Sequence, residues 1–246
     1  MRDYLLDLVK HTYGLGAISL IKIIGDQDKT LVSAYDTVSK TCVLSAEFKN
    51  PIAEFQGTFG MPNLDKLNTI LNIPEYREDA DITCTTQADN EGNLVPSGIL
   101  FKNKAGDFQN MYRFMEKNTI NAQMGTPMAK PSAFALEIVP TVSSIQKLKF
   151  QSQAHSEATV FSTRVENGQV LVRFGDHSSH AGNFVFADNC GSVTIKEQYW
   201  PVSVFNDILS LSGDKTIKFS NTNPICQIVV DSGLAVYTYS ILPQAK

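Results

Sequence analysis

The sequence lacks a long apolar run. Its longest candidate, residues 15–24, falls short of the roughly 18 residues that span a bilayer, and it includes Lys22. The first residues, Met1, Arg2 and Asp3, do not begin a secretory signal peptide. We therefore expect a cytoplasmic protein with no membrane partner.

Cysteine is scarce, at four residues in 246. Cys42, Cys84, Cys190 and Cys226 are far apart in the chain and include no close pair typical of a zinc or redox motif. Their density is also too low for a disulfide-stabilised secreted fold. The pattern predicts four reduced thiols that pack as small apolar side chains.

No charge of one sign dominates, because 21 basic residues face 25 acidic ones for a net charge of −4. This balance argues against a protein that coats nucleic acid with its whole surface, but it leaves room for one basic face. The phosphate-binding Gly-rich loop and the Gly-x-Ser-x-Gly elbow are both absent. The sequence thus predicts a globular, non-enzymatic protein without a cofactor.

Two helix-like segments repeat each other. Residues 62–73 and 201–211 both carry apolar residues at helical spacing, and they align with an offset of 138 residues. The aligned pattern is Leu-Asn-x-Ile-Leu-x-Ile against Phe-Asn-x-Ile-Leu-x-Leu. Such a repeat indicates an internal duplication.

Each repeated helix has an upstream helix and flanking strands. The upstream helices are predicted at residues 4–12 and 142–152, the second with Val142, Ile145 and Leu148 on its apolar face. Alternating apolar residues around turns such as Asn167-Gly168 predict hairpins. The predicted strands are 18–24, 30–35, 42–48, 99–102 and 108–115 in the first half, and 159–165, 170–174, 183–187, 225–230 and 234–242 in the second.

This plan predicts an α+β fold with two similar domains, each with an antiparallel sheet and two helices on one face. The periodicity breaks over residues 119–132, so the domains are predicted at 1–125 and 133–246. The first half has about 11 extra residues, which we assign to a loop at 75–91.

Three polar clusters have both a chemical and a simpler interpretation. His177 and His180, with Asp176, have the residue types of a metal site, but a polar loop is the favoured reading. The acidic residues of 75–91 favour a solvated lobe over a catalytic carboxylate pair. The serine in 231–233 is expected to lie in a hairpin turn. No metal or catalytic residue is predicted.

The ordered set of residues 4–10, 64–73, 205–211 and 232–243 resembles DNA polymerase sliding clamps. The likeness is greatest to the clamps of T-even-type bacteriophages, which share the architecture of proliferating cell nuclear antigen (PCNA). The resemblance implies a DNA clamp fold and a homotrimeric ring around duplex DNA, bound without regard to sequence. It also implies a polymerase and a clamp loader as partners, and the cytoplasm of a host cell if the protein is viral.

The resemblance also implies two sets of site residues. The helices would line the hole, but their polar faces carry three lysines, Lys10, Lys66 and Lys147, against four aspartates, so a basic lining is not evident. Lys149 is expected to add positive charge from a helix flank. A pocket for partner peptides would lie near the connector and the chain end. The DNA-binding candidates are Lys10, Lys66, Lys147 and Lys149; the acids are Asp3, Asp7, Asp65 and Asp207; the pocket candidates are Met124, Met128, Tyr239, Leu242 and Pro243.

Two other functions fit the same sequence. A structural virion or tail protein with two β-rich domains shares the strand content and the absence of motifs. An enzyme with a site assembled between domains is a further alternative, in which His155, His177 and Asp176 would be the first candidates.

Overall fold

The computed structural model describes residues 1–36, 41–89, 92–124, 133–176, 180–222 and 224–245. The chain divides into two compact units. The first comprises Met1–Val38, Leu44–Pro127 and Ser232–Tyr237, and the second comprises Ser39–Val43, Met128–Asp231 and Thr238–Lys246. Strands β3 and β15, defined below, each begin in one unit and end in the other.

Among the described residues, the first unit contains three helices and strands β1 to β7, with β3 shared. Short 3₁₀ turns follow the first two helices. The elements are α1 (Arg2–His11), β1 (Ile21–Gly25), β2 (Thr30–Tyr35), β3 (Cys42–Phe48), β4 (Gly57–Met61), α2 (Leu64–Leu71), β5 (Asp81–Ala88), β6 (Leu94–Lys102), β7 (Gln109–Arg113) and α3 (Lys117–Gln123).

The part of the second unit that the structure describes contains two helices and strands β8 to β15, with β15 shared. The elements are β8 (Leu136–Ile138), α4 (Val142–Ala154), β9 (Val160–Glu166), β10 (Gln169–Phe174), β11 (Gly182–Ala187), β12 (Gln198–Pro201), α5 (Val202–Ser210), β13 (Asp214–Phe219), β14 (Cys226–Asp231) and β15 (Ala235–Ile241).

The strand pairs whose registers are described are all antiparallel. One sheet has the order β4-β1-β2-β3-β15-β14-β13-β8, a second has the order β11-β10-β9-β12, and a third has the order β5-β6-β7. The order β4-β1-β2-β3 in the first half thus repeats as β12-β9-β10-β11 in the second. The predicted duplication is therefore visible in the strand topology.

The core of the first unit lies where α1 and α2 pack together against the sheet side chains. Leu5 and Leu8 of α1 and Leu67 and Leu71 of α2 are almost completely buried. In β2, buried positions alternate with partly exposed ones, as a strand with one covered face requires. The apolar spacing in the sequence therefore matches the buried faces.

The core of the second unit contains a group of packed aromatic side chains. Phe161 of β9 and Phe205 of α5 meet edge to face at 5.0 Å between ring centroids. Trp200 is buried, and its indole nitrogen donates to the hydroxyl of Thr163 at 2.8 Å. Because a buried indole N–H needs a partner, this bond lets Trp200 occupy the core at little cost.

The hairpin prediction at Asn167-Gly168 is confirmed. Both residues have positive φ, at 50° and 73°, and the flanking strands β9 and β10 pair directly. Positive φ at two successive positions is the backbone of a type I′ turn, which Asn and Gly tolerate best. The two residues therefore set the register of this hairpin.

The loop prediction for residues 75–91 is wrong over much of its length. A 3₁₀ turn at Pro74–Tyr76 buries Tyr76, and β5 then pairs with β6 from Asp81 onward. The acidic residues around the start of β5 led to the loop prediction, although exposed residues alternate there with the partly buried Ile82 and Cys84. Asn90 and Glu91 lie outside the described residues.

Three further differences concern elements and burial. The connector prediction missed α3, which buries Ile120. The strands β4, β8, β12 and β13 also carried too little alternation to be predicted. Val142, placed on the apolar stripe of α4, is 73% exposed.

Among the described residues, no helix has the length and apolar character that crossing a membrane requires.

The four cysteines are free thiols, as predicted. Cys42 and Cys226 are buried, whereas Cys84 and Cys190 are only half-buried. Burial, with a smaller contribution from the charge of Glu54, raises the pKa of the Cys84 thiol to about 11. The thiol of Cys84 is therefore protonated, and so poorly nucleophilic, near neutral pH.

Candidate nucleic-acid interface

The pair α1 and α2 is held together by an arginine as well as by apolar packing. Arg2 donates to the main-chain oxygens of Tyr76 at 3.0 Å and of Leu71 at 3.2 Å. A cation at the end of α2 also matches the negative end of the helix dipole. Arg2 therefore has a structural role, and the exposed charges of this pair are Asp3, Lys10, Asp65 and Lys66.

Asp7 lies in a network that links α1 to the last hairpin. Its Oδ2 accepts hydrogen bonds from the hydroxyls of Tyr237 at 2.8 Å and Ser232 at 2.9 Å. Its Oδ1 lies 3.3 Å from Nδ1 of His11, whose ring stacks on Tyr237. Burial opposes ionisation of Asp7, but these hydrogen bonds and the charge of His11 lower its pKa below the ordinary value.

Asp7 is therefore not part of the exposed polar face on which the sequence pattern placed it. Its side chain retains only 11% exposure. No local sequence pattern indicates this network, because Ser232 is 225 residues from Asp7 along the chain. Ser232 remains a turn residue, as predicted, and its hydroxyl also accepts from the main chain of Ala235 at 3.1 Å.

Of the two helix pairs, α4 with α5 has the more basic surface. Helix α4 begins after Thr141, whose hydroxyl accepts from the Ser144 amide at 3.0 Å. The helix contains Lys147 and Lys149, both exposed, and no acidic residue. A hydrogen bond of 2.8 Å from Asn206 to the Ser152 hydroxyl joins α5 to α4.

Helix α5 contributes one acid, Asp207, to this surface. Asp207 is an exposed residue, but partial burial raises the pKa of its carboxyl group. Counted over the four helices, the exposed charges are four lysines and three aspartates, namely Lys10, Lys66, Lys147, Lys149, Asp3, Asp65 and Asp207. The helix surfaces are therefore weakly basic, and the basic excess lies on α4.

The pocket candidates differ in their exposure. Met124 in the first unit and Tyr239 in the second are buried. Leu242 and Pro243 are half-buried, and the main chain around them is held by bonds from Leu242 to Thr41 and from Gln244 to Tyr199. Met128 lies outside the described residues.

The structure gives little support to the alternative metal and catalytic sites. His177 lies outside the described residues. Where the structure describes the chain, no three His, Cys, Asp or Glu side chains are grouped to hold a metal ion. His155 is buried and stacks on Phe174, with its Nδ1 3.9 Å from Glu157. This position gives His155 a packing role at the end of α4.

Comparisons with known proteins found no matching family model and no matching curated protein. Solved structures do match. The PCNA of A. fulgidus, in a structure with the C-terminal region of FEN-1 bound, superposes with a TM-score of 0.66 at 11% identity, over 100% of this chain and 97% of the other. PCNA from Thermococcus kodakaraensis superposes with a TM-score of 0.64 at 10% identity, over 99% and 95% of the two chains.

The chain has a PCNA-like clamp fold. The similarity extends over the whole chain, so it includes both halves of the duplication. This confirms the predicted α+β clamp fold with two similar antiparallel halves. At such low identity the likeness establishes the fold, and the function has to be argued from this chain's own residues.

Proposed function

We propose that this protein is a DNA polymerase sliding clamp, a non-enzymatic processivity factor of the T-even bacteriophage type. It would encircle duplex DNA and tether the polymerase, with clamp domains at 1–125 and 133–246. The observation that carries the proposal is the repeated helix pair, α1 with α2 and α4 with α5, on a clamp fold. A tethered polymerase gains effective concentration at the primer end without any new active-site contact.

Ring closure is supported by two edge strands. Within the chain, β3 and β15 are neighbours in one sheet. Their counterparts in the repeated element order are β11 and β7, and each is the outermost strand of its sheet in the part of the chain that the structure describes. Pairing β11 of one copy with β7 of the next would satisfy both edges.

This contact is head-to-tail, so it produces a ring if the rotation between copies closes. Because each chain carries two repeats, three copies would place six repeats around the centre. We propose this homotrimer as the assembly. A clamp loader would be needed to open such a ring around DNA, because no nucleotide-binding motif is present in this chain.

The charge of the helices fits a sliding contact. Four exposed lysines against three exposed aspartates give a small basic excess, and phosphate contacts of this kind carry no sequence information. Affinity from a few such contacts is weak and falls with salt. We propose Lys10, Lys66, Lys147 and Lys149 as the DNA-binding residues.

We also propose that partner peptides from the polymerase and loader dock near the chain end. The half-buried Leu242 and Pro243 would receive an apolar anchor, with Met124, Met128 and Tyr239 as the remaining candidates. The FEN-1 segment bound in the archaeal PCNA structure is a precedent for peptide binding by a protein of this fold.

Primer extension on a long singly primed template, with the cognate polymerase and loader, tests the proposal. We expect longer products when the protein is added, and a marked loss of this effect in Lys147→Glu. The matched control is Lys29→Glu, because Lys29 is exposed in the turn between β1 and β2. Sedimentation at micromolar concentration should show a trimer. A monomer without polymerase stimulation would contradict the proposal and favour a structural virion protein.

A further inference from the structure

Exposed apolar side chains are concentrated at α4. Among the described residues six large apolar side chains are exposed, and three of them lie between positions 139 and 150. Val139 and Val142 are each 73% exposed and Phe150 is 64% exposed. Such a cluster indicates a contact surface more strongly than scattered exposed residues do.

Helix geometry places these residues in a row. Val142, Gln146 and Phe150 are four residues apart, so they follow one another along one side of α4. At about 100° per residue, Lys147 falls on one side of this row and Lys149 on the other. The phenyl ring of Phe150 is therefore flanked by two exposed cations.

The charge of this face is complementary to an anion. The sequence contains no Asp or Glu from position 139 to position 156. Glu137, before the helix, is paired with Lys218 at 3.0 Å, and Glu157, after it, lies 3.9 Å from His155. The acid of the neighbouring helix is Asp207, whose pKa is raised by partial burial.

We propose that this face of α4 binds single-stranded nucleic acid, with an unstacked base on Phe150 and phosphates at Lys147 and Lys149. A flat exposed aromatic ring beside cations is the arrangement that holds single strands without sequence preference. In duplex DNA the base faces are stacked and out of reach, so Phe150 would add little there. A peptide partner is less suited, because its apolar anchor needs a cavity rather than an exposed ring.

The inference rests on the proposed function only in that it takes α4 as a nucleic-acid surface. Its physical consequence is a contact that distinguishes the single-stranded template next to a primer from the finished duplex. The lysines would contribute to both, whereas the ring would contribute only where bases are free to stack.

Fluorescence anisotropy with labelled oligo(dT) and a labelled hairpin duplex, at low salt, tests this surface. We expect Phe150→Ala to weaken oligo(dT) binding by about tenfold and duplex binding by less than about twofold. Replacement of both Lys147 and Lys149 by alanine should weaken both. Leu94→Ala removes an equally exposed apolar side chain on β6 and should change neither.

Phe150→Trp adds a direct readout of stacking. Its exposed indole should retain oligo(dT) binding and lose fluorescence when a base stacks on it, whereas the buried Trp200 should report little. Because Phe150 is largely exposed, thermal unfolding should show that all variants remain folded.

Several outcomes would overturn the inference. These are undetectable oligo(dT) binding by the unaltered protein, equal loss of single-stranded and duplex binding in Phe150→Ala, or displacement of oligo(dT) by an acidic peptide that binds the face more tightly. If the unaltered protein still stimulated the polymerase in any of these cases, the clamp proposal would stand although this inference had failed. If the unaltered protein bound oligo(dT) normally but did not stimulate the polymerase, the clamp proposal would be contradicted instead.

Discussion

The two halves of the chain share an order of elements but differ in how their helix pairs use polar residues. In the first half, the side chain of Asp7 of α1 is largely buried and accepts two hydroxyl hydrogen bonds from the last hairpin. In the second half, α4 has no acid and leaves two lysines and a phenyl ring exposed. The comparison indicates that apolar spacing preserves a duplicated fold while the polar positions of each copy acquire separate roles.

The largest expected effect concerns the apolar positions that the halves share. Ile70 of α2 and Ile208 of α5 are equivalent in the aligned repeat, and both are buried. Alanine at either position should lower the free energy of unfolding by about 2–5 kcal/mol, because a cavity adds to the lost apolar burial. Urea denaturation measures this.

The control for the isoleucine pair is Ser203→Ala, at an exposed position of α5. It should stay within about 0.5 kcal/mol of the unaltered protein. A negligible loss in only one of the two isoleucine variants would show that the halves do not share the same core packing.

Removal of the Asp7 carboxylate should have the next largest effect. Asp7→Asn weakens the interactions with His11, Tyr237 and Ser232, and we expect a loss of about 1–3 kcal/mol at pH 7. The lowered pKa of Asp7 stabilises the fold above its ordinary value of 3.8, and this stabilisation is lost as pH falls through the lowered pKa.

Thermal unfolding between pH 3 and pH 7 measures the Asp7 effect. The Asp7→Asn variant should show a flatter profile at the acid end than the unaltered protein. Asp3→Asn, at an exposed position of the same helix, should follow the unaltered protein. Parallel profiles for Asp7→Asn and the unaltered protein would remove Asp7 from this role.

A smaller difference should separate the aligned asparagines. Asn206 donates to the Ser152 hydroxyl and joins two helices, whereas Asn68 is bonded within its own helix to Asn72 on an exposed surface. Asn206→Ala should cost about 1 kcal/mol and Asn68→Ala should cost less than about 0.5 kcal/mol. Equal losses in urea denaturation would contradict this division of roles.

The smallest effect should come from one surface charge. Asp207→Asn removes the acid of α5, the helix that contacts α4, and we expect duplex affinity to rise by about twofold to fivefold at low salt. Because the pKa of Asp207 is raised, the gain should shrink as pH falls. Asp28→Asn, in the turn between β1 and β2, is the control in anisotropy titrations. An equal gain in both variants would indicate a general charge effect.

Elements with strong local patterns were predictable. The helices α2 and α5 were expected from spaced apolar residues, and the β9–β10 turn from Asn167-Gly168. The short strand β8 and helix α3 carried too few periodic residues to be seen. Strand β5 was missed because its polar residues are typical of a loop and its pairing with β6 decides its conformation.

The candidate site was less predictable than the fold. Lys147 was predicted on the polar side of α4 and Lys149 at a flank, and both are exposed. Val142 was assigned to the buried side and Phe150 was not singled out, although both are exposed. Periodicity identifies a helix and its approximate faces, but the edge of the buried face depends on which elements pack against it.

Local sequence patterns were enough to predict the duplication, the four main helices and most of the hairpins, because these depend on residues that are close together in the chain. Long-range packing was needed to bond Asp7 to Ser232 and Tyr237, to bring β3 beside β15, and to leave Phe150 exposed. The first two features join residues that are far apart in the chain, and the third depends on which elements pack against α4. Local spacing encodes which side chains are apolar, whereas packing decides which of them are covered.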